Sequence, residues 1–185
     1  FYEFHGSEFT NKEAIKVVNE ISKNNKGSEF KWAENTEERN KIWKARYDVY
    51  YSVKSLHPNT RIYTTDVCVP ISRLAECIIY AEKEIKNYGL QAPIIGHVGD
   101  GNFHHTIVYN PIDKDDHKII REFSNNLIQK TLELEGTITG EHGIGINKKE
   151  YLIKQHKDII PLMRMIKKSL DPKNIMNPGK VFDLE

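Results

Sequence analysis

Cysteine is scarce. Only Cys68 and Cys77 are present, and they form neither a metal-ligand nor a redox pattern. What remains is a pair of buried thiols, Cys68 in a strand and Cys77 in the helix after it. An excess of either charge is missing too. The chain has 27 Lys and Arg against 26 Asp and Glu, a net charge of +1, which argues against a dedicated nucleic-acid binder. No apolar run approaches the ~20 residues of a membrane helix, so the expectation is a soluble or peripheral chain. There is no internal repeat, no low-complexity tract and no signal or transit peptide. An initiator Met is also lacking: the chain opens Phe1-Tyr2-Glu3-Phe4, as though inside a strand. That pattern suggests a fragment of a longer protein, for which missing targeting signals say little about compartment.

A chain of 185 residues can bury one sizeable core. Phe1–His5 and Glu29–Ala33 alternate apolar and polar and read as strands. Thr10-Asn11-Lys12-Glu13 has capping-box spacing before a helix marked by Ala14, Val17, Val18 and Ile21. A second helix is expected from Asn35 or Thr36 to about Val53. Arg61–Val69 reads as a strand, and Pro70 opens a helix striped by Ile71, Leu74, Ile78, Ala81 and Ile85. A hairpin at about Ala92–Val98 and Phe103–Tyr109 follows, then a helix over about Asp113–Leu134. Thr137–Thr139 suggests a short strand, Asn147 a cap for a helix through Gln155, and Pro161 the start of a last helix. Asn177-Pro178-Gly179 marks a tight turn. This order predicts an α+β fold: an antiparallel or mixed β-sheet covered by helices, with a C-terminal helical segment.

The chemistry-bearing stretch is Gly96-His97-Val98-Gly99-Asp100-Gly101-Asn102-Phe103-His104. A four-residue loop at Gly99–Asn102 sets Val98 opposite Phe103 and His97 opposite His104. Opposed residues share a face of the sheet, so the two imidazoles can bind one cation; His105 points away by the same parity. Paired histidines in a hairpin also occur as ordinary surface or core residues. A second polar cluster, Gly140-Glu141-His142-Gly143-Ile144-Gly145, adds a carboxylate and a third imidazole. His97, His104 and Glu141 then form a set of two imidazoles and one carboxylate that leaves metal positions open. Arg46 falls within the apolar stripe of the second helix. It either meets an internal acid, snorkels at the stripe's edge, or clamps a carboxylate ligand.

Five segments together carry a resemblance: Phe4-His5-Gly6, Thr65-Asp66-Val67-Cys68-Val69-Pro70, the histidine hairpin, the Glu141-His142 loop, and Asp171-Pro172-Lys173-Asn174-Ile175-Met176-Asn177-Pro178-Gly179-Lys180. The chain resembles the C-terminal half of the FAD-linked oxidases of the vanillyl-alcohol-oxidase type, most of all the members that oxidise D-lactate and other 2-hydroxy acids. The resemblance implies a cap or substrate domain over residues 1–135 and a C-terminal segment over 136–185, with the FAD-binding domain outside the chain. It also implies that His97, His104 and Glu141 hold a divalent metal, zinc or manganese, that His142 is the base, that Arg46 binds the substrate carboxylate, and that Asn177 lies near the flavin.

Relatives acting on dicarboxylic acids tend to have lysine where Thr64 stands, so a monocarboxylic 2-hydroxy acid such as D-lactate is expected. The implied electron acceptor is cytochrome c, a quinone or another flavoprotein. The location would be mitochondrial in a eukaryote, and otherwise cytoplasmic or peripheral to a membrane. Two other classes fit the same residues. A zinc hydrolase with the same two imidazoles and carboxylate as ligands would activate water and need no flavin. A non-catalytic module could hold an anion on the glycine-rich loop ahead of Lys148 and Lys149.

Overall fold

The computed structural model describes residues 1–33 and 35–184. They fall into two compact units, Phe1–Ser52 and Val53–Glu185.

The first unit is helical. Helix α1 (Glu8–Asn24) is capped by Ser7, whose hydroxyl accepts from the Thr10 amide. The start is therefore three residues before the Thr10 box read from the sequence, because Ser7 offers the same chemistry one turn earlier. Helix α2 (Thr36–Tyr47) is capped by Asn35, as expected. The single helix expected to Val53 is divided at Asp48, and α3 (Val49–Leu56) continues beyond it. The Asp48 carbonyl takes both the amide and the hydroxyl of Ser52, while its carboxylate turns back to Lys44. A serine hydroxyl turned back on the carbonyl four residues earlier weakens and bends a helix.

Neither Phe1–His5 nor Glu29–Ala33 forms a strand. Their side-chain alternation is present, with Tyr2 stacked on Phe4 and Phe30 beside Trp32, each pair 6.3 Å apart. Alternation supplies one face but not a partner strand, and among the described residues neither segment pairs with one. No residue of α1, α2 or α3 is buried.

The second unit holds the sheet. Strand β4 (Asn102–Tyr109) lies at its centre, with β1 (Arg61–Thr64) and β2 (Val67–Cys68) on one edge and β3 (Ile94–His97) on the other, all antiparallel. Arg61 faces Tyr109 and Cys68 faces Asn102, so β1 and β2 keep one register along β4. The strand expected over Arg61–Val69 is thus one ribbon, interrupted at Thr65-Asp66. Thr137 reaches it only as an isolated bridge to Cys68, not as the short strand expected.

The two faces of β4 do different things. Phe103, His105 and Ile107 point into the core, where α4 (Ile71–Asn87) and α5 (Lys114–Glu133) bring Leu74, Cys77, Ala81, Phe123 and Leu127. Cys77 is buried as expected, and Cys68 is only half-buried. Asn102, His104 and Thr106 point the other way and are buried as well. Helices α6 (Lys149–His156) and α7 (Ile160–Leu170) follow. Helix α6 begins after Lys148 without a side-chain cap, so Asn147 does not take the capping role read for it.

The hairpin is tied to β2 by the Val69 amide, which donates to the Gly101 carbonyl at 3.0 Å. Gly101 has φ +76°, and a Cβ there would stand 1.9 Å from the Val69 oxygen. Gly99, in the same loop, has nothing within 4 Å of its would-be Cβ. Gly101→Ala is therefore expected to lower stability by about 2 kcal/mol or more, and Gly99→Ala by less than about 0.5 kcal/mol. Urea unfolding of both variants checks the contrast, and equal losses would contradict it.

Candidate metal centre

The turn between β3 and β4 is a short 3-10 turn at Val98–Asp100, closed by Gly101. It begins one residue earlier than the loop read from the sequence. His97 consequently pairs with Asn102, and His104 with Ile95, in place of the direct His97–His104 pair. His97's partner moves by two residues, and a two-residue shift preserves the face. The two rings therefore still share a side, as diagonal neighbours with centroids 6.4 Å apart.

His104 is fixed at both nitrogens. Its Nδ1 lies 2.9 Å from the Thr65 carbonyl oxygen and its Nε2 lies 2.8 Å from Glu141 Oε1. A carbonyl can only accept, so Nδ1 carries a proton. In the neutral ring this leaves the Nε2 lone pair aimed at a carboxylate oxygen. Two acceptors at that distance call for a cation, either a second ring proton or a metal ion. His97 Nε2 lies 3.6 Å from the same Glu141 oxygen. One donor atom from each of His97, His104 and Glu141 lies within 4.8 Å of the other two. Ligands at the usual ~2.0–2.2 Å from one ion stand about 3–3.5 Å apart. The donor types suit a divalent cation, and the two separations to Glu141, 2.8 and 3.6 Å, are near that spacing.

His142 stacks on the His104 ring, with centroids 4.7 Å apart and planes 7° from parallel. Its Nε2 lies 3.8 Å from Glu141 Oε1. The His97, Glu141 and His142 side chains are about half exposed (49%, 47% and 47%), whereas that of His104 is 8% exposed. A buried, oriented imidazole thus stands among three groups that are half open to solvent.

Sequence reasoning assigned no role to Asp66. The residue is 2% exposed. Its carboxylate accepts from the Thr139 hydroxyl, the Asn102 side-chain amide, and the backbone amides of Gly140, Glu141 and His142. Lys148 Nζ lies 3.6 Å from it, and donates to the Asp66 and Ile138 carbonyls. Burial alone would raise the Asp66 carboxyl. The Thr139, His142 and Asn102 hydrogen bonds and the Lys148 charge outweigh it and hold the group far below the usual carboxylate range. Asp66, His104 and His142 also stand close enough to form a ligand set. The Asp66 oxygens are already occupied by donors, so the His97–His104–Glu141 set is the open one. The available signal was a lone carboxylate in an apolar strand, Val67-Cys68-Val69 following directly.

The same contacts bear on anion binding. The amides of Gly140, Glu141 and His142 already surround the protein's own carboxylate, and the lysines behind them are engaged, Lys148 as above and Lys149 with Asp183. No amide of that stretch is left for a phosphate or a flavin pyrophosphate. His105 faces the core beside Phe103 and Phe123, away from the metal set, as parity predicts. Arg46 is half-buried on α2 of the first unit, and Asn177 sits exposed in the turn closed by the Lys180 amide on its carbonyl.

Known proteins bear on this geometry. A protein of Danio rerio named "Probable D-lactate dehydrogenase, mitochondrial" is 45% identical over 185 residues, all of this chain and 37% of that protein. The Arabidopsis thaliana "D-lactate dehydrogenase [cytochrome], mitochondrial" is 37% identical over 182 residues, 98% of this chain and 32% of that one. The chain thus spans about a third of the length of these relatives. Among solved structures, 4-ethylphenol oxidase from Gulosibacter chungangensis superposes with a TM-score of 0.66 at 18% identity, over 96% of this chain and 38% of that one, a likeness of fold. The family of FAD linked oxidases, C-terminal domain, matches residues 1–181, and this chain belongs to it.

Proposed function

We propose that this chain is the substrate-side part of an FAD-dependent 2-hydroxy-acid dehydrogenase that oxidises D-lactate to pyruvate. The relatives' names support the substrate, a mitochondrial location and a cytochrome as electron acceptor; a quinone or another flavoprotein is the alternative acceptor. The observation that carries the reading is the meeting of His97, His104 and Glu141 with the His142 ring stacked beside them. In this reading residues 1–135 form the cap and 136–185 the segment bearing the Glu141-His142 loop.

His97, His104 and Glu141 would hold the divalent cation, zinc or manganese, which supplies a Lewis acid that makes a bound hydroxyl more acidic. FAD, held mainly by a domain outside this chain, supplies the acceptor for the hydride. The chain's own residues do the rest. Thr65 fixes the His104 tautomer through its carbonyl. Glu141 offsets the positive charge of the site. His142 Nε2, partly open to solvent, takes the hydroxyl proton. Arg46 matches the substrate carboxylate in shape and charge, and Asn177 contacts the flavin. Thr64 pairs with Thr106 on β4, so it shares the face of Asp66 and His104. A neutral side chain there suits an acid with one carboxylate.

In the full-length protein, His97→Ala and His104→Ala are each expected to release the metal and abolish turnover. Elemental analysis of the purified variants checks this, and stoichiometric metal in both removes the ligand assignment. His142→Ala is expected to retain metal and flavin while kcat falls about 10²–10⁴-fold; normal turnover would take it out of the proton-transfer role. A substrate panel is expected to favour D-lactate over dicarboxylic 2-hydroxy acids, with Thr64→Lys narrowing the preference. A colourless, flavin-free full-length preparation would favour the hydrolase alternative. The isolated chain is expected to show no turnover.

A further inference from the structure

We propose that Asp66 is the positioning residue of this centre: its buried carboxylate sets where the Glu141 and His142 side chains stand. For its catalytic consequence the proposal rests on the function above; for its structural content it does not.

The geometry is that of a loop wrapped on an internal anion. Three consecutive amides, at Gly140, Glu141 and His142, converge on the Asp66 carboxylate at 3.0–3.3 Å. The Thr139 hydroxyl completes a run of four neighbouring donors. With the backbone of 140–142 held this way, the Glu141 side chain reaches His104 Nε2 and the next side chain lies flat on the His104 ring. Gly140 permits the approach: a Cβ there would stand 2.0 Å from the Asn102 side-chain nitrogen.

Asp66 and His104 are fastened at the same place in the sheet. The interruption between β1 and β2 exposes the Thr65 carbonyl to His104 Nδ1 and turns the Asp66 carboxylate to the loop. The register of β1 and β2 sets Asp66 opposite His104, and its Oδ1 lies 3.7 Å from His104 Nδ1. One dipeptide therefore orients a ligand on its own strand pair and the two groups contributed by a loop far along the sequence. Lys148 locks the arrangement by joining the Asp66 and Ile138 carbonyls.

The test uses Asp66→Asn in the full-length protein. The amide of asparagine keeps the shape but sets an N–H donor against either the loop amides or Asn102. Three readouts are expected. Hydrogen exchange of the Gly140, Glu141 and His142 amides speeds up at least about tenfold, while the α5 core amides from Ile120 to Thr131 keep their protection. Affinity for zinc or manganese, measured by chelator competition, falls about 10–100-fold, as for loss of a group that orients a ligand. kcat falls about a hundredfold with KM near that of the parent, as for a displaced catalytic group. Should Asp66→Asn fail to fold, Thr139→Val removes one donor at nearly constant volume and is expected to move the same readouts in the same direction, by less. Unchanged exchange at 140–142 in a folded variant overturns the proposal, as does acceleration spread evenly over the second unit. If the parent protein takes up no divalent metal, the functional reading fails, and exchange at 140–142 still decides the role of Asp66.

Discussion

The structure depends on one strand being buried on both sides. β4 sends Phe103, His105 and Ile107 into an apolar core and Asn102, His104 and Thr106 into a polar interior. Burying the second set is tolerable only if its polar atoms find partners. The β1–β2 interruption provides several of them: Thr65 O receives His104 Nδ1, Thr65 Oγ1 receives the His105 amide, and Asp66 receives the Asn102 side-chain amide, while Asn102 Oδ1 has none among the described residues. The polar face inside the unit is accommodated by the interruption of the neighbouring strand at Thr65-Asp66, where His104 and the 139–142 loop are fastened.

Charge explains why the centre stays open on its other side. The Asp66 carboxylate is ringed by donors and backed by Lys148, so it stays ionised without needing a metal. Among the described residues the Glu141 carboxylate meets imidazoles: His104 at 2.8 Å, His97 at 3.6 Å and His142 at 3.8 Å. Those imidazoles offset its charge only if protonated, and Nδ1 of His104 is already committed to a carbonyl. A divalent cation, if bound, would satisfy the carboxylate and both ring lone pairs together. The two acids in this small region therefore differ, one holding backbone and the other half exposed to solvent.

The glycine-rich loop shows how a motif changes meaning once its contacts are known. Gly140, Gly143 and Gly145 ahead of two lysines suggest a phosphate cradle. Here the cradle is filled from within by Asp66, and Lys148 is turned to carbonyls behind it. The physics of anion capture by successive amides is retained, but the anion belongs to the fold.

Much was legible from residue order alone. The α4 stripe of Leu74, Ala81 and Ile85, the strand character of Arg61–Val69 and the shared side of His97 and His104 follow from local periodicity, which short-range geometry enforces. The hairpin survived a misplaced turn because side-chain direction repeats every two residues, so an even shift changes partners and leaves the face intact. Phe1–His5 and Glu29–Ala33 failed for the complementary reason: alternation is a property of a segment, whereas a strand is a property of a pair. Glu141 and His142 were identifiable by residue type and by family resemblance, yet nothing local placed them beside His104. That was decided by Asp66, whose partners lie at Asn102 and at residues 139–142, because a buried carboxylate collects donors wherever the folded chain brings them and sequence spacing carries no record of it.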